Sequence, residues 1–291
     1  MEGIAYLNGS LMPAAEAGVS IFDRGYTSGD SVYDAIRTAG GRPFKLREHL
    51  ERLYRSLRYT RIDPGLTIDE METVSMQVLE ANLPLLGPND DFLLWPTVSR
   101  GPTAVVLARK IDFRQFARYY STGAHVVTAA TRRTPPQTMS SLGKISNKLN
   151  HSLADWEAKN LDAQAYSLML DINGNVAESA AANVFWVTGG KLCTPRLRNV
   201  LRGITRETIL ELAAEVGIPA EEDDYSSYDV YNADEVFLTT SSYLILPVTE
   251  VDGLPVGNGQ QAAGPVTERL IDAFSELIDL DFVAQAKSHL N

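Results

Sequence analysis

Lysine, glutamate and a glycine that opens a helix fall within one stretch of this chain, from Lys144 to Arg206. Glu178 precedes two strand patterns, Asn183 to Thr188 and Lys191 to Thr194, that turn at Gly189-Gly190. Gly203-Ile204-Thr205 then opens an amphipathic helix with Ile209, Leu210, Ala213 and Val216 on one stripe. The first N–H groups of a helix lack intrahelical acceptors and sit at the positive end of its dipole, so they favour a phosphate. An acidic residue, a hairpin and a glycine at a helix start can together grip an anionic cofactor with an aromatic nitrogen. A lysine that sheds its proton, as burial and nearby cations promote, can bond covalently to an aldehyde. Lys144, in the loop GKISNKLN, is the candidate, and Lys148, one helical turn on, is its rival. Taken singly each residue reads as ordinary surface; the combination does not.

The spacing resembles the signature of the class IV pyridoxal-phosphate aminotransferases, the fold-type IV enzymes. That family includes branched-chain and D-amino acid aminotransferases, (R)-selective amine transaminases and aminodeoxychorismate lyase. The signature sets a glutamate five residues before an asparagine and an aromatic two further on, here Glu178, Asn183 and Phe185. An apolar-x-Thr follows, Leu192-Cys193-Thr194. It closes on Leu201-Arg202-Gly203-Ile204-Thr205-Arg206. Weaker similarity runs from about Ile4 to Ile278.

The elements that must position these residues are legible along the chain. At 291 residues and 44% hydrophobic content there is room for two ordinary domains. Residues 4–10 read as a strand into an Asn-Gly turn. Residues 19–38 carry two glycine breaks and then an alternating strand. A helix spans 47–61, with Leu50, Leu53, Tyr54 and Leu57 on one stripe and a cationic remainder. Thr67 and Glu70 form a capping box for the next helix. Strands at 91–99 and 103–110 are joined by Arg100-Gly101-Pro102, and 112–123 has no clear pattern. Beyond it come a strand at 123–130, a loop at 132–144, a helix at 147–159, a strand at 166–170 and a turn at Asp171–Asn175. The strand 235–240 ends in hydroxyl residues, and Pro265 starts the last helix. The expected organisation is a small N-terminal α/β domain (1–115), a linker (116–122) and a larger C-terminal domain (123–291). The resemblance implies an α/β (α+β) fold whose C-terminal domain has a β-barrel-like core.

It also implies pyridoxal 5'-phosphate as cofactor and assigns residues. Lys144 matches the cofactor lysine. Arg52, in the His49-to-Leu53 piece, matches the arginine that grips the cofactor phosphate, for which a planar guanidinium is suited. Glu178 would keep the pyridine nitrogen protonated. Asn183, Gly203, Ile204 and Thr205 belong to the cofactor cradle. One or two of Thr239, Thr240 and Ser241 would meet the phosphate or a substrate carboxylate. Tyr33 would project into the substrate pocket, with Arg100, Arg132, Arg133 and Ser242 as further substrate-side candidates.

Departures from the family shape the substrate expectation. D-amino acid aminotransferases carry a long loop with an Arg-x-His carboxylate trap after the strand ending in Arg-Gly. Here Arg100-Gly101 is followed almost at once by the strand TAVVLARK. The run RRTPP resembles a segment of (R)-amine transaminases, whereas AANVFW with TPRL resembles aminodeoxychorismate lyase. The expected activity is transamination from an apolar amine or amino acid to a 2-oxo acid. The alternatives are a lyase on the same site and a carrier without turnover.

Composition bounds the rest. A net charge of −11 argues against nucleic acid as a partner. No apolar run is long enough for a membrane span, and the N-terminus lacks a signal-peptide layout. The single cysteine, Cys193, excludes an internal disulfide framework and fits a reducing cytoplasm. No metal site is expected. A homodimer follows from the family resemblance.

Overall fold

The computed structural model describes residues 3–101, 103–259 and 261–290. Pro102 of the strand-joining turn, and Met1, Glu2 and Asn291 at the expected domain ends, lie outside them, as does Gln260. The chain forms two compact units, Met1–Asp112 with Gly143–Lys148, and Phe113–Leu142 with Leu149–Asn291. The loop piece carrying Lys144 thus folds with the first unit, although the expected boundaries place it in the second domain.

The first unit contains β1 (Ile4–Leu7), β2 (Ser10–Pro13), α1 (Arg24–Ser28), β3 (Ser31–Tyr33), β4 (Ile36–Ala39) and β5 (Arg42–Pro43). It continues with α2 (Leu46–Thr60), α3 (Ile68–Asn82), β6 (Phe92–Ser99) and β7 (Thr103–Lys110). The sheet order is β2-β1-β7-β6-β4-β5, with β3 also on β6. Asn8 and Gly9 both take positive φ, so the β1–β2 hairpin turns as its Asn-Gly sequence requires. Alternation sends Phe92, Leu94 and Val98 inward, where they meet Leu50, Leu53 and Leu57 of α2 and Met71, Val78 and Leu79 of α3. Thr67 caps α3 with the expected box. Next to the leucine stripe of α2 runs a buried polar one, His49, Arg52 and Ser56, at i, i+3 and i+7.

The second unit contains α4 (Tyr119–Thr122), β8 (Ala124–Thr128), α5 (Leu149–Leu161), β9 (Tyr166–Leu168), β10 (Asn183–Thr188), β11 (Lys191–Pro195) and α6 (Ile204–Glu215). It continues with β12 (Ala220–Asp223), α7 (Ser227–Tyr231), β13 (Glu235–Thr240), β14 (Leu244–Val251), β15 (Leu254–Pro255), α8 (Pro265–Ile278) and α9 (Phe282–Lys287). The sheet order is β12-β11-β10-β13-β14-β8-β9, with β15 on β14. Its two edges are drawn together by residues 169–178. Met169 N donates to Glu178 O and Ala177 N to Met169 O, while Val176 N donates to Tyr225 O just beyond β12. A bridge joins Asn175 to Ser226. The sheet is therefore barrel-like, with a hairpin spanning the gap.

Residues 116–122 are not a tether. Phe113, Phe116, Tyr119 and Tyr120 are buried in the second unit, and Tyr120 Oη donates to Tyr243 O at 2.5 Å. The aromatic rings of Phe116, Tyr120, Tyr166 and Tyr243 meet edge to face. α5 begins two residues later than its sequence pattern suggests, and α9 follows the helix taken as last.

Candidate active site

Each unit carries its own share of the candidate residues. In the first, strand alternation decides which way they face. Val32 points into the core, Tyr33 to the opposite face, and Asp34 inward again toward α2. Arg52 grips Asp34 with two nitrogens, Nε to Oδ2 at 2.9 Å and Nη2 to Oδ1 at 2.7 Å. His49 Nδ1 lies 2.7 Å from the same Oδ1. All three side chains are buried. Burial raises the Asp34 pKa, but the Arg52 and His49 charges and their hydrogen bonds together outweigh it and hold the carboxyl well below the usual range. His49 shifts down, chiefly through burial.

Lys144 is held by its backbone. Its N–H donates to Ser56 Oγ at 3.0 Å, and its carbonyl accepts from Tyr33 N at 3.1 Å. Its Nζ lies 4.8 Å from the Tyr33 ring centre. Tyr33 stacks on Trp95 at 5.0 Å, and the Arg109 guanidinium lies 5.1 Å from the Trp95 ring. Lysine, tyrosine, tryptophan and arginine form one column. Lys148 lies half-buried at the end of the same segment.

Arg100 is not on this face. Its Nε meets Asp30 at 2.8 Å, and Nη1 and Nη2 donate to the Arg61 and Thr60 carbonyls at 2.9 and 2.6 Å. It closes the C-terminal end of α2, where exposed carbonyls and the helix dipole favour a cation. Its guanidinium, expected on the substrate side, here rests on the end of α2. The short tip beside it is fixed by buried Asp23, which accepts from the Ser99 and Thr103 hydroxyls, each at 2.6 Å.

In the second unit the hairpin 169–178 delivers Glu178 into a buried clamp. Oε1 accepts from Arg133 Nε at 2.8 Å and lies 3.8 Å from His151 Nε2. Oε2 accepts from Leu201 N at 2.8 Å and from Asn183 Nδ2 at 3.4 Å. Burial pushes the carboxyl up, but the His151 hydrogen bond, the Arg133 and His151 charges and the Leu201 N–H bring it down to about 2. It stays ionised across the physiological range. Arg133 is thereby committed to Glu178 rather than facing a substrate, and Arg132 places its Nη1 3.4 Å from the Ala129 carbonyl.

Asn183 joins this clamp to the start of α6. Its Nδ2 also donates to Leu201 O at 2.9 Å, and a Cβ on Gly203 would overlap its Oδ1. Only glycine lets the helix start approach so closely. Gly203 is the N-cap and offers no side chain to the first turn, where Ile204 and Thr205 are buried. Asn183 is the cross-strand partner of Thr239. The Thr239 hydroxyl oxygen is buried and has no hydrogen-bond partner among the described residues. A bare helix start beside an unsatisfied buried hydroxyl fits a phosphate, and an ionised buried carboxylate fits a protonated ring nitrogen. Thr240 is used otherwise, its Oγ1 accepting from Ser242 N and Tyr243 N at 3.0 and 3.2 Å. Ser241 and Ser242 are half-buried in that turn.

Asp34, Ser56 and His151 escape a reading of the sequence alone. Two of them carry a signal: Ser56 lies one turn after Arg52 on the polar stripe of α2, and Asp34 alternates with Tyr33.

The amino-transferase class IV family model matches residues 31–251. This chain belongs to the class IV aminotransferases. It is 34% identical to a putative branched-chain-amino-acid aminotransferase of Methanocaldococcus jannaschii over 281 residues, 94% of this chain and 95% of that one. It is 31% identical to the D-alanine aminotransferase of Bacillus licheniformis, covering 93% and 95%. Among solved structures, the branched-chain amino acid aminotransferase of Escherichia coli aligns with a TM-score of 0.87 at 30% identity, covering 96% and 95%. The fold is that of fold-type IV enzymes, and this aminotransferase is a pyridoxal-phosphate-dependent transferase. Among the described residues no helix is long and apolar enough to cross a membrane.

Proposed function

We propose that the enzyme moves an amino group from an apolar amine or amino acid to a 2-oxo acid, with Lys144 as the lysine that holds pyridoxal 5'-phosphate. The bound cofactor supplies an electron sink for the bond broken at the donor Cα. Lys144 Nζ takes the Cα proton and returns it as general acid. Glu178, ionised and buried, holds a proton on the ring nitrogen. In the second unit the N–H groups at the start of α6, the Thr205 hydroxyl and Thr239 would bind the phosphate, and in the first unit Arg52 is the candidate guanidinium for it.

The observation that carries the donor preference is the face around Tyr33. Its neighbours are Trp95 and the short β6–β7 hairpin, whose register runs to Ser99 opposite Thr103. Arg100, the cation nearest that tip in sequence, is spent on α2. With Arg100 engaged on α2, the site loses little when the donor lacks a second carboxylate, whereas a carboxylate trap left empty costs roughly 1–3 kcal/mol per unpaired group. A homodimer is supported by the exposed apolar run Val19, Ile21, Phe22 and Tyr26 of the first unit, where Phe22 is 85% exposed. A cytoplasmic setting is supported by the one buried thiol, Cys193.

The test is a donor panel at fixed acceptor, read by the absorbance of the bound cofactor. Apolar amines and amino acids should convert it to the amino form, and D-aspartate and D-glutamate should do so poorly. Preference for D-glutamate over every apolar donor would overturn the reading, and no conversion of the cofactor by any donor would favour the lyase or the carrier instead. Lys144→Ala should abolish both the covalent link and turnover, and a link that survives it but is lost in Lys148→Ala would reassign the lysine.

A further inference from the structure

Ser56 ends the buried polar stripe of α2 and is 1% exposed. Its hydroxyl makes two bonds. It donates to the Arg52 carbonyl one turn back at 2.9 Å, and it accepts the Lys144 N–H at 3.0 Å. A serine hydroxyl has one proton. Committing it to Arg52 aims the lone pairs at the incoming segment.

That segment is remote in sequence yet folds with the first unit. Tyr33 N donates to the Lys144 carbonyl, Ser146 N donates to the Ser31 carbonyl at 2.8 Å, and Val32 bridges Ile145. The peptide groups on both sides of the Lys144 Cα are therefore tied, one to the helix of Arg52 and one to the strand of Tyr33. Of these backbone ties, the one to Ser56 depends on a side chain.

We infer that Ser56 is a positioning residue that fixes the backbone of Lys144 relative to Arg52, setting where the lysine nitrogen stands against a phosphate-anchored cofactor. The inference rests on the Lys144 reading above. Without the hydroxyl, the Lys144 N–H loses its acceptor and the segment keeps only its strand-side bonds. A side chain on a loosened backbone samples more positions, and small misplacements of a reacting group lower rates steeply.

The experiment compares Ser56→Ala, Ser56→Thr and Lys144→Ala with wild-type holoenzyme. Ser56→Ala should lower kcat about tenfold to hundredfold. The donor KM and the cofactor Kd should stay within about threefold. Amide exchange of residues 143–148 should speed up while the core of α2 keeps its protection. Ser56→Thr, which keeps the hydroxyl, should recover most of both. If Ser56→Ala does not accumulate as folded protein, Ser56→Cys, with its weak acceptor, replaces it with the same expectations. Unchanged kcat and unchanged exchange at 143–148 would overturn the inference, as would a loss confined to cofactor affinity. Turnover by Lys144→Ala would overturn the underlying reading instead.

Discussion

The two units build nearly the same buried constellation and use it in opposite senses. In the first, Asp34, Arg52 and His49 meet within hydrogen-bonding distance. In the second, Arg133 hydrogen-bonds Glu178 and His151 lies 3.8 Å from the same oxygen. Each has one carboxylate, one guanidinium and one imidazole, and each carboxylate is held low by its cationic neighbours against the cost of burial. The proposed ligand is the arginine in one and the carboxylate in the other. The remaining partner serves as the fixer. In the proposed roles, a buried ion pair thus presents either sign of charge.

The largest expected effect comes from removing each fixer. Asp34→Asn and Arg133→Met should each cost about 3–5 kcal/mol of stability, because each strands a buried charge. Inorganic phosphate should then recover more of the lost Tm in Asp34→Asn, where it can pair the stranded Arg52 charge, than in Arg133→Met. Equal responses would erase the contrast between the two clamps.

Next is the pH dependence of stability. Glu178 falls from an ordinary 4.5 to about 2 in the folded state. Its contribution, roughly 3 kcal/mol at ~1.4 kcal/mol per pKa unit, is complete above pH ~5 and fades as pH drops toward ~2. Asp34 acts in the same direction. Urea unfolding at pH ~6 and pH ~3 should show the loss, and Glu178→Gln should show less of it.

Glu178→Gln should also retain the covalently held cofactor while slowing the donor half-reaction about hundredfold, since a neutral amide cannot hold the ring nitrogen protonated. Stopped-flow absorbance reads this directly, and wild-type half-reaction rates would remove Glu178 from its role. Arg52→Ala should instead act on retention. A charge-assisted phosphate contact contributes about 1.5–3 kcal/mol, or roughly ten- to hundredfold in cofactor Kd. Equilibrium dialysis would detect it, and an unchanged Kd would leave Arg52 as a structural partner of Asp34 alone.

Much of this is legible in the amino-acid sequence. The Thr67 capping box, the Asn8-Gly9 turn and the run from Glu178 to Arg206 are local signals, and local signals survive because short-range chemistry decides them. The placement of Lys144 in the first unit is not legible. It depends on backbone hydrogen bonds to Ser31 and Tyr33, which any residue type could make. Residues 112–123 look unstructured because a short turn and a single helical turn leave no periodicity, although their aromatic rings are buried. Arg100 and Arg133, read by type, suggest substrate partners. Their partners in the structure, the end of α2 and Glu178, lie 39 or more residues away in sequence. Arginine at a strand end says that a partner exists, not which one.

The hairpin of residues 169–178 carries a consequence for solubility. The outer strands of an unclosed sheet offer unpaired amides that recruit other chains. Here β9 is three residues long, β12 carries Glu221, Glu222 and Asp223, and the hairpin bonds to the segment just past β12. The piece of chain that places Glu178 therefore also shields the sheet from self-association. Damage to its anchor, Asp171, which accepts from Asn173 N, Asn175 N and the Asn199 amide, would therefore appear as aggregation on storage as well as in the placing of Glu178.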